Sequence, residues 1–218
     1  MTTEDAEMTS AQRFIPLALV VSALLVVPGL AVAQHDHHHH HGAGVPGSGY
    51  TRVEANYAVP NVTLVDMDGK KVALRSELES GGPVVVNFIF TSCTAICPVM
   101  SVTFSQVQRV LSKDAERPRM VSISIDPEYD TPARLKEYAA RHDASRDWHM
   151  LTGDKESILA VARAFGAWRG DKMNHTPSTY LRAGPSKPWL RLDGFASPAE
   201  IVREYRSLVG TRLSSLAR

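Results

Sequence analysis

Phe88-Ile89-Phe90-Thr91-Ser92-Cys93-Thr94-Ala95-Ile96-Cys97-Pro98 decides how this chain is read. Cys93 and Cys97 are the only two cysteines among 218 residues, and they stand four positions apart. The apolar, β-branched run Val84–Phe90 has the length and composition of a buried strand. Pro98 then opens a segment with helical spacing, predicted to reach Leu111, with Val99, Val102, Val107, Val110 and Leu111 available for burial. Cysteines placed where a strand gives way to a helix meet the positive end of the helix dipole and its free N–H groups. Both favour the thiolate, which is the nucleophile and the metal ligand.

Working outward, the same alternation continues on both sides. Val62–Val65, the turn Asp66-Met67-Asp68-Gly69 and Val72–Leu74 read as a hairpin. Met120–Ile125 is a second apolar strand that ends at Asp126-Pro127. Thr131-Pro132 pairs an N-cap with proline at the first helical position. Trp148–Leu151 is a short strand, and Asp154 caps a helix predicted to reach Phe165. Thr179–Leu181 and Leu190–Leu192 can pair antiparallel across the Gly184–Pro188 loop. Ser197-Pro198-Ala199-Glu200 is a capping box opening a helix to about Val209. Strands alternating with helices, then a closing hairpin and helix, make an α/β fold: a central mixed sheet with helices on both faces. With cysteines at the end of the first long strand, the layout is that of a thioredoxin-like domain, expected over residues 60–212 with a short tail at 213–218.

The N-terminus has a different character. Phe14–Ala33 is twenty residues without a charge, behind Arg13 and ending Ala31-Val32-Ala33. That is a signal peptide with an A-x-A cleavage site, or a transmembrane anchor of spanning length. Residues 1–13 are then a short cytoplasmic leader by the weak charge bias. Either outcome exports the rest of the chain, to the periplasmic side of an inner membrane, tethered or released. Residues 34–59 read as a linker that begins with His35 and His37–His41 and continues into a Gly/Pro/Ser run. Clustered imidazoles bind Cu, Ni or Zn loosely, so the tract is a native metal-gathering tether or an affinity-tag scar. The formal charge of +1 gives no case for a nucleic-acid partner.

Outside the cytoplasm the ordinary reading of a cysteine pair is a structural disulfide. The i, i+4 spacing places both sulfurs on one helix face, with one more intervening residue than the close redox pair of thioredoxins. It still permits a disulfide, and it leaves room for a soft metal; thiolates select Cu(I), Zn or iron–sulfur clusters. Two cysteines are too few for an all-cysteine cluster site.

Three stretches then carry a resemblance. Phe90-Thr91-Ser92-Cys93-Thr94-Ala95-Ile96-Cys97-Pro98 resembles the F-T-x-C-x-x-x-C-P signature of the Sco (SenC) family of membrane-tethered copper chaperones, which act in cytochrome c oxidase assembly. Asp126-Pro127-Glu128-Tyr129-Asp130-Thr131-Pro132 resembles the family's D-P-x-x-D-T-P segment. His175-Thr176, ahead of Tyr180-Leu181, resembles its late copper-binding histidine. The resemblance implies copper, Cu(I) or Cu(II), held by Cys93, Cys97 and His175. It also implies a partner that is the copper-bearing subunit of cytochrome c oxidase or another cuproprotein. Two thiolates suffice for Cu(I), and an added neutral imidazole suits Cu(II).

The family's aspartate before this histidine is replaced by Asn174, so a carboxylate orienting the imidazole is missing or comes from elsewhere. Thr176-Pro177 resembles the loop that faces the cysteines in thioredoxins, which would bring His175 beside them. Asp126 is read either as a neighbour of the site or as turn and cap chemistry with Asp130 and Thr131. Met173 is the one methionine considered as a weak extra ligand. The competing function is a thiol–disulfide oxidoreductase with Cys93 and Cys97 as its redox-active pair. The resemblance favours a metallochaperone over an enzyme.

Overall fold

A computed structural model of the chain describes residues 43–44 and 49–216. In chain order these form β1 (Ala43–Gly44), β2 (Tyr50–Ala55), β3 (Thr63–Asp66), β4 (Lys71–Ala73), α1 (Leu74–Glu79) and β5 (Val84–Ile89). Then follow α2 (Ile96–Leu111), β6 (Arg119–Ser124), α3 (Pro132–Arg141), β7 (Trp148–Thr152) and α4 (Lys155–Ala164). The chain closes with β8 (Ser178–Arg182), β9 (Trp189–Gly194) and α5 (Pro198–Leu216). The leader at 1–13, the uncharged segment 14–33 and the histidine tract lie outside the described residues. No helix among the described residues is long and apolar enough to cross a membrane.

The strands make one mixed sheet in the order β1-β2-β9-β8-β5-β6-β7-β3-β4. Among the described residues only β5–β6 and β6–β7 are parallel pairs, and their crossovers are α2 and α3. All six residues of β5 are buried, as expected of a central strand covered on both faces. Its alternate residues feed two different cores. Phe88 packs on Phe165, at the end of α4, and edge-on to Tyr180, with ring centroids 5.8 and 5.6 Å apart. On the opposite face Asn87 accepts the Ser122 hydroxyl at 2.6 Å. Ser122 in turn accepts from Trp148 Nε1 at 2.9 Å, and Trp148 packs on Phe104 of α2.

The punctuation read from sequence forms as expected. Asp66 Oδ1 accepts the N–H groups of Asp68 and Lys70, tightening the β3–β4 turn. Thr131 and Asp154 cap α3 and α4. Ser197 and Glu200 exchange the two bonds of a capping box at the head of α5.

Three expectations change. The sheet begins before residue 60: β2 pairs with β9 along its whole length, Tyr50 opposite Gly194 to Ala55 opposite Trp189. Leu74 starts a helix rather than ending a strand. The buried stripe of α2 is not the valine set. Val99, Val102 and Val110 are exposed, whereas Met100, Phe104, Val107 and Leu111 turn inward with Val107 and Leu111 as expected. Ser101, Ser105 and Gln108 are buried with them. Ser101 is hydrogen-bonded to the Tyr138 hydroxyl at 2.7 Å, and Gln108 accepts the Ser145 N–H, so polar partners on and after α3 fix which face of α2 turns in.

Candidate metal centre

The site lies where β5 and β6 end and β8 begins. β5 runs into Phe90, whose carbonyl accepts the Cys93 N–H at 3.1 Å. Ala95 then caps α2 without a side-chain bond, and the helix starts at Ile96. It therefore begins two residues before Pro98, and Cys97 lies inside its first turn. There the backbone N–H groups have no partner within the helix. One of them serves the first cysteine: Cys97 N–H donates to Cys93 Sγ at 3.4 Å.

Both cysteines are free thiols, one half-buried and the other buried. Partial burial works against ionising Cys93. The N–H groups of Cys97 and Ala95, the Cys97 thiol and the Ile96 N–H together outweigh it, and the thiol falls below its ordinary value. Burial drives Cys97 the other way, well above the usual thiol range. The Phe90 backbone opposes that shift, and the neighbouring Cys93 and the Asp130 carboxylate add to it. The pair thus has one thiol that ionises more readily, Cys93, and one that keeps its proton, Cys97.

Two carboxylates of the Asp126–Pro132 segment hold the surroundings. Asp130 is fully buried. It accepts the Thr91 N–H at 3.1 Å, the Thr91 hydroxyl at 2.5 Å and the Ser124 hydroxyl at 2.5 Å. That fixes the start of the cysteine loop to the end of β6, a role the sequence reading missed by treating Asp130 as turn chemistry. Asp126, read as a possible neighbour of the thiols, instead accepts from Lys172 Nζ at 2.5 Å. Lys172 opens a single 3₁₀ turn, Lys172–Asn174, that delivers His175.

His175 is buried, and that burial lowers its basicity, countered in part by hydrogen bonding with the Phe88 backbone. The ring is neutral at pH 7, the form that ligates metals. Its Nδ1 is buried without a partner. Asn174 does not supply one, because its amide donates to Arg169 O at 3.4 Å. Among the described residues no carboxylate bonds to Nδ1 either. An orphaned imidazole nitrogen beside β5 and an ionisable thiol at the end of that strand are a donor set suited to a soft or borderline metal. The structure brings Cys93 and Cys97 together but does not close all three around one point. Among the described residues no group of three or more His, Cys, Asp or Glu side chains could hold a metal ion. Met173 is largely exposed.

A family model described as SCO1/SenC matches residues 52–210, from β2 into α5. The chain is 40% identical over 144 residues to the SCO1 protein homolog of Bacillus subtilis (strain 168), covering 62% of this chain and 73% of that protein. Among solved structures, BsSco, a member of the Sco family of cytochrome c oxidase assembly proteins with an identified disulfide switch, is 32% identical. It gives a TM-score of 0.61 over 71% of this chain and 95% of its own. Bradyrhizobium japonicum ScoI with copper bound is 28% identical, with a TM-score of 0.55 over 69% of this chain and 99% of its own. Matched in sequence from β2 to α5 and in fold over about seven-tenths of its length, the chain belongs to the SCO1/SenC family.

Proposed function

We propose that this protein is a copper chaperone that carries copper on Cys93, Cys97 and His175 and delivers it to the copper-bearing subunit of cytochrome c oxidase or another cuproprotein. The observation that carries the reading is the donor set: two free thiols at the head of α2 and a neutral imidazole with an unpartnered nitrogen. Two sulfurs are enough for Cu(I), and the imidazole adds the third ligand that Cu(II) favours. Copper bound to the ScoI relative supports the choice of metal, and BsSco's family supports an oxidase subunit as recipient. Work outside the cytoplasm, on the periplasmic side, follows from the export segment at 14–33.

The test is a competition titration of the full chain with its six tract histidines, His35 and His37–His41, replaced by Asn so that they take no copper. One tight equivalent of Cu(I) that needs both cysteines, and one of Cu(II) weakened by His175→Ala, is the expected result. Absence of tight binding in the reduced protein would overturn it.

A second reading rests on the unequal acidity of the two thiols. As an oxidoreductase, Cys93 thiolate attacks a partner disulfide and forms a mixed disulfide. Cys97 then gives up its proton and attacks Cys93 Sγ. The partner leaves as a dithiol with two electrons, and the chain holds the Cys93–Cys97 disulfide. Disulfide reduction by the metal-free protein, abolished in Cys93→Ser, is the result that favours this reading.

A further inference from the structure

Lys172 touches three parts of the site at once. Its Nζ donates to Asp126 Oδ2 at 2.5 Å, and the same ammonium lies 5.7 Å from the centre of the Phe90 ring, within cation–π range. Its main-chain carbonyl accepts the His175 N–H at 3.1 Å. The turn that it opens is tied to itself: Met173 N–H donates to Asp171 Oδ1 at 2.7 Å and Asn174 N–H to Asp171 O at 3.1 Å. Residues 171–175 therefore move as one piece, with Lys172 as the arm that reaches across to the cysteine side.

The two ends of this arm are unlike. Asp126 is a fixed post. Its side chain is 9% exposed, its N–H donates to Ser124 Oγ, and its carbonyl accepts from Tyr129 and Asp130. The Lys172 side chain is 37% exposed, so water and salt reach the ion pair and it can open and close. Phe90 heads the cysteine loop that buried Asp130 holds at Thr91. The cysteine side is rigid, and the histidine side is joined to it by a contact that can be released.

We propose that Lys172 is a positioning residue for His175: seated on Asp126 and the Phe90 ring, it keeps the histidine turn fastened to the cysteine loop while the imidazole closes the remaining distance onto a bound ion, and so sets how long the imidazole stays there. The proposal rests on the reading of His175 as a copper ligand. Release of the latch frees the imidazole while both sulfurs keep their hold, so the third ligand becomes the first to leave. The latch therefore governs retention of Cu(II), which uses the imidazole, and not of Cu(I), which two sulfurs satisfy.

The test uses the full chain with the six tract histidines replaced by Asn, loaded with one equivalent of Cu(II). The thiolate-to-Cu(II) charge-transfer absorption is followed after excess chelator is added. Lys172→Gln is expected to lose Cu(II) about threefold faster, the scale of an exposed ion pair, with Cu(I) loss unchanged. Lys172→Arg restores the parent rate. High salt speeds the parent and leaves Lys172→Gln unmoved. In the metal-free protein, Lys172→Gln speeds amide exchange at residues 173–175. Parent-like Cu(II) loss or parent-like exchange in Lys172→Gln would overturn the proposal, as would an equal gain in Cu(I) and Cu(II) loss. His175→Ala identifies which idea has failed. If it leaves Cu(II) loss unchanged, the ligand reading falls and the latch with it. If it speeds Cu(II) loss while Lys172→Gln does not, only the latch falls.

Discussion

Cys97 donates its backbone N–H to the sulfur of Cys93, at 3.4 Å, while its own thiol is buried beneath the first turn of α2. The second cysteine thus makes the first more acidic at the expense of its own ionisation. In pH-stepped alkylation of the reduced protein, read by peptide mass spectrometry, Cys93 should react first. Its midpoint should lie below the ordinary cysteine value, near 8.5. Cys97 should stay largely unmodified until the protein unfolds. Faster labelling of Cys97 in the native state would contradict this ordering.

Asp130→Ala should destabilise the protein by about 2 kcal/mol or more, because it leaves the Thr91 and Ser124 donors without their buried acceptor. Urea unfolding measures the loss. Cys97 should also become easier to ionise, since the removed charge is among those that raise it.

His149 Nδ1 is 2.6 Å from Glu77 Oε1, and that bond raises the histidine's basicity against the opposing effect of burial. A pKa raised on folding means that the native state holds the proton more tightly than the unfolded chain does. The stabilisation is complete below the unfolded value, about 6.5, and is lost as pH rises through the higher native value. The Tm deficit of His149→Gln should therefore be larger at pH 5.5 than at pH 8.5. A deficit independent of pH would mean that the bond contributes packing alone.

Phe88→Ala should cost about 3–5 kcal/mol. The ring meets both Phe165 and Tyr180, and Phe165 in turn packs on Trp189 at 5.2 Å. Chemical denaturation should show a lower midpoint with little change in slope.

Gly194 has φ +115°, and a Cβ there would lie 2.3 Å from Gly49 O. Its N–H also donates to Pro177 O at 2.9 Å, two residues beyond His175. Gly194→Ala should both destabilise the fold and loosen the histidine loop, seen as faster amide exchange at Gly194 and at residues 173–175.

Most of the α/β order was legible because local chemistry and tertiary need agree along it. Val84–Ile89 is apolar at every position but Asn87 because it is covered on both faces, and Thr131, Asp154 and Ser197 are caps by residue type. β2 was missed because Tyr50-Thr51-Arg52-Val53-Glu54-Ala55 has few apolar side chains. Pairing with β9, which is distant in sequence, makes it a strand. The face of α2 was misjudged because valines stand on several sides of that helix. The buried side is chosen by Tyr138 and Ser145, which lie on and just after α3. At the site, the cysteine spacing and His175 stood out by type and motif. Asp130 and Lys172 act across 39 and 46 positions, a separation at which spacing carries no signal.

The uneven depth of the two sulfurs gives any transfer a direction. Cys97 is 1% exposed while Cys93 is half-buried, so an incoming acceptor meets only the shallower atom. On the proposed role of the pair as copper ligands, an ion shared between them is exchanged there first, with the deeper sulfur letting go last. The proposed delivery then requires recipients to approach from a single flank, and a protein that docks on the opposite side of the helix leaves the cargo untouched.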